Sequence, residues 1–390
     1  MKCIINIFYI GGINNMKEII KRELGCLLNT KKQYRNDNYK SYLDMVKGLA
    51  IILVVLGHSG AINHSTNLWL STFHLPTFFI ISGILVNLKK EKQLAFNTFI
   101  INKFKQILIP YFCFSFISII FILINIFANT LKWTDLAKLI CQTFSLQGYS
   151  AMWFLPVLFF AELFLMSVLK FLDKINNKFA PFILCVFTTI LAILIYNLYN
   201  NYIVIRFSNF FVDELRIFFK AIVGSAFISY GYLIWDIFLI VDNGKRIGIK
   251  KIICKTFQLF VGVILFSLNI LVLPYIQLMD LNNLNVGSIQ QYLLLGVGGG
   301  LSLLLICKNI PNIPIISYCG QNSLIIMCTH LNFYILFISL FICQFIASRL
   351  PGNYNILWCL TSMICTICLE IALIIIIKNY FPFILGKKRK

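Results

Sequence analysis

Apolar runs of roughly 20 residues recur along the whole chain, parted by short breaks that hold most of the charge. A run of that length, wound as an α-helix, spans the roughly 30 Å hydrocarbon core of a bilayer. Composition agrees with this. Of the 390 residues 59% are apolar and 12% charged, whereas a soluble domain carries about 25% charge. The mean hydropathy is +0.84. A water-soluble globular domain is excluded, and 37 phenylalanines exclude a disordered chain. The expected fold class is all-α: a polytopic membrane helix bundle with no soluble catalytic domain.

Ten spans are predicted, over residues 44–62, 69–88, 107–128, 153–170, 180–198, 217–240, 253–275, 288–307, 316–343 and 355–378. The ninth is long for one crossing and is expected to tilt or project. The net charge of +20 sits in the breaks between spans, which points to membrane orientation and not to nucleic acid. With the N-terminus inside, 27 of the 34 Lys and Arg residues fall on the inner face, 5 on the outer face, and 2 (Lys47 and Lys220) within spans. That bias puts both termini in the cytosol and requires an even number of spans. The membrane domain is expected over residues 41–386, between a basic cytosolic segment, 1–40, and a basic cytosolic tail, 387–390. The apolar run Ile4–Ile13 is short and has no clean small-residue cleavage site after it, so a signal peptide is not expected. The 13 cysteines are odd in number and mostly lie within apolar runs. They suggest no disulfide framework and no zinc ribbon, and no metal is expected. Cys365 and Cys368, three apart on a helix, are expected to be packing residues.

A charge or imidazole at membrane depth is costly and usually marks a functional path. The exceptions here are Asp44, Lys47, His58, His74, Glu162, Lys220, Asp236, His330 and Glu370. The first span is the most informative. Lys47 and His58 are 11 residues apart, and at about 100° per residue this falls within about 20° of three full turns. Asp44 lies about 40° off the same line. All three therefore share one stripe, with a cation at the inner mouth and an imidazole about 16 Å above it. The alternative is a snorkelling lysine and a hydrogen-bonded structural histidine. A short loop, 62–69, brings His74 near His58, and Pro76 is expected in the first turns of the second span. His64, in that loop, is expected to be solvated. His330 sits mid-span in the ninth helix. Glu162 and Glu370 are expected to be structural partners for Lys47 or Lys220, or else proton-relay carboxylates. The basic stretch 89–106 can hold a phosphorylated ligand or simply meet anionic lipid headgroups. Gly296, Gly298, Gly299 and Gly300 lack the Lys-Ser/Thr of a phosphate loop and fit close helix packing.

Several blocks in order resemble a known family. They are Tyr42-Leu43-Asp44-Met45-Val46-Lys47-Gly48 running on to Gly57-His58, and Phe73-His74-Leu75-Pro76 through Ser82-Gly83. Leu108-Ile109-Pro110-Tyr111 and Trp153-Phe154-Leu155-Pro156 follow. Gly320-Gln321-Asn322-Ser323 with His330, and Phe381-Pro382-Phe383, complete the set. The chain is similar to the integral-membrane acyltransferase-3 proteins, in particular the branch resembling fucose 4-O-acetylase. The resemblance implies transfer of an acetyl group from acetyl-CoA to a sugar hydroxyl of a surface polysaccharide or its lipid-linked precursor, in a bacterial cell membrane. Where the family often has arginine, this chain has Lys47, which keeps the charge but not the bidentate fork. In place of an arginine pair it has Lys103, Lys105 and Gln106.

On that reading Lys47, Lys103 and Lys105 hold the CoA phosphates, and Asp44 belongs to the same catalytic stripe. His58 is general base on the sugar hydroxyl. His74 or His330 stabilises the oxyanion or orients the acceptor. An acyl-histidine intermediate is the other route. The expected partners are acetyl-CoA, a glycan or lipid-linked sugar acceptor and membrane lipids, with no nucleic acid. A different class stays open beside it: a flippase or transporter for a lipid-linked glycan, using the intramembrane His, Lys and Glu residues as a proton relay.

Overall fold

The computed structural model describes residues 41–59, 62–174, 179–206, 209–243, 249–276, 279–347 and 355–386. The segments expected at 1–40 and 387–390 lie outside these residues. Among the described residues there is no strand, only one isolated bridge between Asp280 and Asn285. Nine helices among the described residues are long and apolar enough to cross a membrane. The chain is therefore a polytopic membrane helix bundle.

In chain order the helices are α1 (Ser41–His58), α2 (His64–Leu88), α3 (Phe96–Lys103), α4 (Ile109–Phe127), α5 (Trp133–Phe144), α6 (Phe154–Lys174) and α7 (Ala180–Leu198). Then come α8 (Asn209–Asn243), α9 (Ile249–Leu271), α10 (Ile289–Asn309), α11 (Pro314–Gln321), α12 (Ser323–Thr329), α13 (Ile335–Ala347) and α14 (Asn355–Tyr380). α2 is the hub, with α1, α8 and α10 packed along it. α8 also packs on α6 and α7, and α11 lies along α1. α9 rests on α10 and turns Ile253, Phe257 and Phe260 outward, as a lipid-facing helix does.

Glycines set the closest approaches. A Cβ on Gly83 of α2 would lie 1.9 Å from the carbonyl oxygen of Ile228 in α8, and one on Gly231 of α8 would lie 1.9 Å from that of Ile80 in α2. The same reciprocal pairing joins Gly48 of α1 to Ile316 and Gly320 of α11 to Asp44. Small residues let backbones touch where lipid supplies no hydrophobic drive for association. Gly296, Gly299 and Gly300 of α10 likewise sit against Phe227, Phe73 and Ile80, while Gly298 has open space beside it. Gly83→Val is expected to cost about 1–3 kcal/mol by overpacking and to lower the thermal midpoint in detergent by several degrees. Gly298→Val should leave that midpoint unchanged. Equal midpoints for the two variants would contradict this packing.

Three expectations about the spans need correction. The second helix begins at His64, ahead of its apolar run, because Asn63 caps it by accepting from the Thr66 N–H at 2.8 Å. Pro76 consequently lies in the helix interior and not in its first turns. His64 itself is exposed at the helix start, as expected. Before the third span the basic stretch is no open loop. α3 runs through a π-helical turn, Phe104–Leu108, into α4. Pro110 lacks the N–H that would bond the Gln106 carbonyl, so the helix widens there.

The ninth span, expected as one long helix, is broken into α11, α12 and α13. Asn322 interrupts it by turning its own amide onto the Tyr318 carbonyl at 2.7 Å. A second break follows Thr329, where Asn332 donates to the Cys328 carbonyl at 3.0 Å and Tyr334 takes φ +57°. Broken helices at membrane depth are tolerated where protein surrounds them or a cavity borders them, and both conditions hold here.

Candidate active site

Two cavities lie end to end in the bundle. The first, about 310 Å³, has Lys47 of α1, Ser82 of α2, Lys103, Gln106, Glu162 of α6 and Gln321 among its lining. Exposed Lys89, Gln106 and Gln321 form its mouth. The second, about 340 Å³, is lined by His58, Ser71, His74, Ser150, Trp153, Asp280 and Asn282 together with apolar side chains. Phe154 and Met327 line both cavities, so these two side chains form the wall between them.

α1 connects the two. Lys47 forms an ion pair with Asp44 at 2.7 Å and borders the basic cavity. His58 ends the same helix in the histidine cavity. The side chain of His58 is exposed, but what it is exposed to is that cavity. Lys47 and His58, at the two ends of the shared stripe, thus each border a cavity.

Three imidazoles gather in and beside the second cavity. His74 is buried, and its Nδ1 donates to the Leu70 carbonyl one turn back. His330 is fully buried, its ring centroid 5.4 Å from that of His58. Its Nδ1 donates to the Ile326 carbonyl at 2.7 Å, and its Nε2 has no hydrogen-bond partner. A carbonyl can only accept, so in both rings the proton of the neutral form is on Nδ1 and Nε2 carries the lone pair. Neutral His74 and His330 therefore present acceptors, which suits a hydroxyl proton and does not suit an oxyanion.

The base of the first cavity is a buried charge cluster. Lys103 pairs with Glu91 at 2.8 Å and Glu162 at 3.1 Å, and sits 5.2 Å above the Phe99 ring. Glu162 also accepts from Ser82 Oγ. The expected partnership of Glu162 and Glu370 with Lys47 or Lys220 is not what forms. Glu370 is bound by Thr329, at 2.9 and 2.8 Å to its two oxygens. Lys220 donates to the backbone and side-chain oxygens of Asn282 at 3.1 and 3.3 Å and lies 4.6 Å from the Trp153 ring. The reason is depth. Each buried charge takes the nearest polar atom at its own level, since a longer reach through hydrocarbon leaves it unsatisfied.

An acyltransferase family model matches residues 40–375, most of the chain. The chain belongs to this acyltransferase-3 family. No curated protein and no solved structure matches it. The acyltransferase is thus a multi-pass membrane enzyme whose family domain contains both cavities.

Of the residues singled out in the acyltransferase's sequence, Asp44, Lys47 and Lys103 come together around the first cavity, and His58, His74 and His330 around the second. Lys105 is brought to neither: it is exposed on the π-helical turn, and its carbonyl abuts Gly386. The loop carrying Asp280 and Asn282 was not anticipated as site-forming. Its only advance signal was the polar interruption Asp280–Asn285 between two apolar runs. It is held by the Asp280–Asn285 backbone pair at 2.9 and 2.8 Å and by Lys220 beneath Asn282. Glu91 was missed as well, because a carboxylate in a lysine-rich stretch reads as a solvated loop residue.

Proposed function

We propose that this acyltransferase moves an acetyl group from cytosolic acetyl-CoA to a sugar hydroxyl of a bacterial surface polysaccharide or its lipid-linked precursor. The observation that carries the reading is the pair of cavities meeting at a two-residue wall, one bordered by lysines and the other by histidines. The polyanionic donor suits the basic end, where Lys47 and Lys89 meet its phosphates. Lys103, already outnumbered by two carboxylates, serves to hold the cavity floor. The sugar suits the opposite end, where Trp153 offers an aromatic ring and Asp280, Asn282 and Ser150 offer polar groups. The resemblance of the sequence blocks to the fucose 4-O-acetylase branch also supports a sugar acceptor.

In the reaction the sugar hydroxyl attacks the thioester carbonyl. A C–O bond forms and the C–S bond breaks. His58, exposed in the cavity, takes the hydroxyl proton and returns it to the departing thiolate, so that CoA leaves as the thiol. The lone pair on His330 Nε2, beside His58, favours the imidazolium formed midway, and His74 Nε2 orients the sugar by accepting from a neighbouring hydroxyl that does not react.

The test is transfer of radiolabelled acetyl from acetyl-CoA by the purified protein to a set of methyl glycosides and polysaccharides. Transfer to any sugar hydroxyl supports the reading; export of a lipid-linked glycan without acetyl transfer sinks it and favours the flippase. Within an active enzyme, Lys47→Ala is expected to raise KM for acetyl-CoA about tenfold or more with little change in kcat, from loss of a charge-assisted contact. An unchanged KM would remove Lys47 from the donor site.

A further inference from the structure

The wall between the cavities lies across the path that the proposed transfer requires. It has two members of unequal freedom. Phe154 is wedged among rings, its centroid 6.0 Å from Phe78, 5.0 Å from Phe79 and 6.1 Å from Trp153. Met327 stands on α12, a seven-residue helix between the two breaks of the ninth span. Methionine is unbranched and has three rotatable bonds beyond Cα, so it changes shape at low cost. Met327 also precedes His330 by three residues, which puts the two on one face of the turn. It is 4% exposed, so it fills its place in the wall.

We propose that Met327 is the movable half of this wall and that its bulk sets the length of the acyl group the enzyme transfers. The inference rests on the reading of the chain as a CoA-dependent acyltransferase. The first cavity must hold the pantetheine arm, so each added acyl carbon presses toward Phe154 and Met327. Phe154 cannot yield without disturbing three rings. Met327 can swing enough for a short group, whereas a longer one must push this side chain into the second cavity, where the acceptor sits. The transfer step is unchanged: alcohol oxygen replaces sulfur on the acyl carbon, and the proton passes through His58 to the thiolate.

The experiment measures kcat/KM for acetyl-CoA and butyryl-CoA with the full-length protein in detergent, using methyl glycosides as acceptors and reading free CoA thiol. CoA binding is measured in parallel. Met327→Ala is expected to raise the butyryl-to-acetyl ratio about tenfold or more, the worth of one or two methylenes in an apolar pocket. Met327→Phe should lower acetyl turnover about tenfold while CoA still binds, because the bulk lies beyond the donor phosphates. Met327→Leu, of similar volume, controls for folding and should keep the wild-type ratio. A ratio that stays at the wild-type value in Met327→Ala, or acetyl turnover that survives intact in Met327→Phe, overturns the gate while leaving the acyltransferase reading in place. A wild-type protein that binds no CoA and cleaves neither thioester overturns that reading, and the gate with it.

Discussion

Replacing His58 by alanine is expected to lower acetyl transfer by about 10²–10⁴-fold, the usual worth of a positioned general base. The loss should fall on kcat, with KM for acetyl-CoA nearly unchanged. The base acts on the alcohol in the transition state, and Lys47, which meets the donor, lies about three helical turns away along α1. The fold should survive, because the His58 side chain lines a cavity at the end of α1, where its ring meets that of His330 at a centroid distance of 5.4 Å. His330 is different. It is fully buried beside His58, so His330→Ala combines a packing defect with any catalytic one. Rates, KM and elution profile of the purified variants distinguish these cases. If His58→Ala retains wild-type turnover in monodisperse protein, His58 is not the base, and the unpartnered Nε2 of His330 becomes the next group to test.

Replacing Lys103 by methionine should produce the largest loss of stability of any single change around the first cavity. Lys103 is the shared counter-ion of Glu91 and Glu162, and all three side chains are buried. Removing one partner of a buried ion pair typically costs about 3–5 kcal/mol, because the remaining charge is left without compensation. Here two carboxylates would be stranded. The decisive comparison is the triple variant Lys103→Met, Glu91→Gln, Glu162→Gln. It removes all three charges and should recover most of the thermal midpoint in detergent, since replacing a buried ionic cluster by neutral groups is often nearly neutral. Failure of the triple variant to recover would mean that the ammonium over the Phe99 ring, not charge balance with the carboxylates, holds the cavity floor. If Lys103→Met is as stable as wild type, the cluster has no structural role.

How far the site could be read in advance depends on the range of the interaction involved. Lys47 and His58 are on one helix, so their alignment follows from 3.6 residues per turn and needs no knowledge of the neighbours. The connection expected at 62–69 was short, so the approach of His58 and His74, which line one cavity, was equally legible. Other features were not. Lys103 looked like a phosphate ligand because Glu162 lies 59 positions away in the chain, and only the packing of α3 against α6 brings them together. Lys105, two residues on, points elsewhere because residues two apart on a helix do not share a face. The ninth span read as one helix because its polar residues are uncharged and scattered among apolar ones. The Asn322 and Asn332 amides that break it act by competing for backbone carbonyls, which hydropathy does not register.

The amino-acid sequence alone determined that this chain is a multi-pass helical bundle, because 20-residue apolar runs have one low-energy solution in lipid. It also determined that a cation and an imidazole share a face of the first helix, because that is local geometry. Tertiary structure alone decided that the face borders two cavities, that Phe154 and Met327 divide them, and that each buried carboxylate has the partner it has. Those outcomes turn on contacts between helices distant in the chain. In a bilayer such contacts are set by close backbone approach at glycines such as Gly48, Gly83, Gly231 and Gly320 and by pairing of polar groups at equal depth.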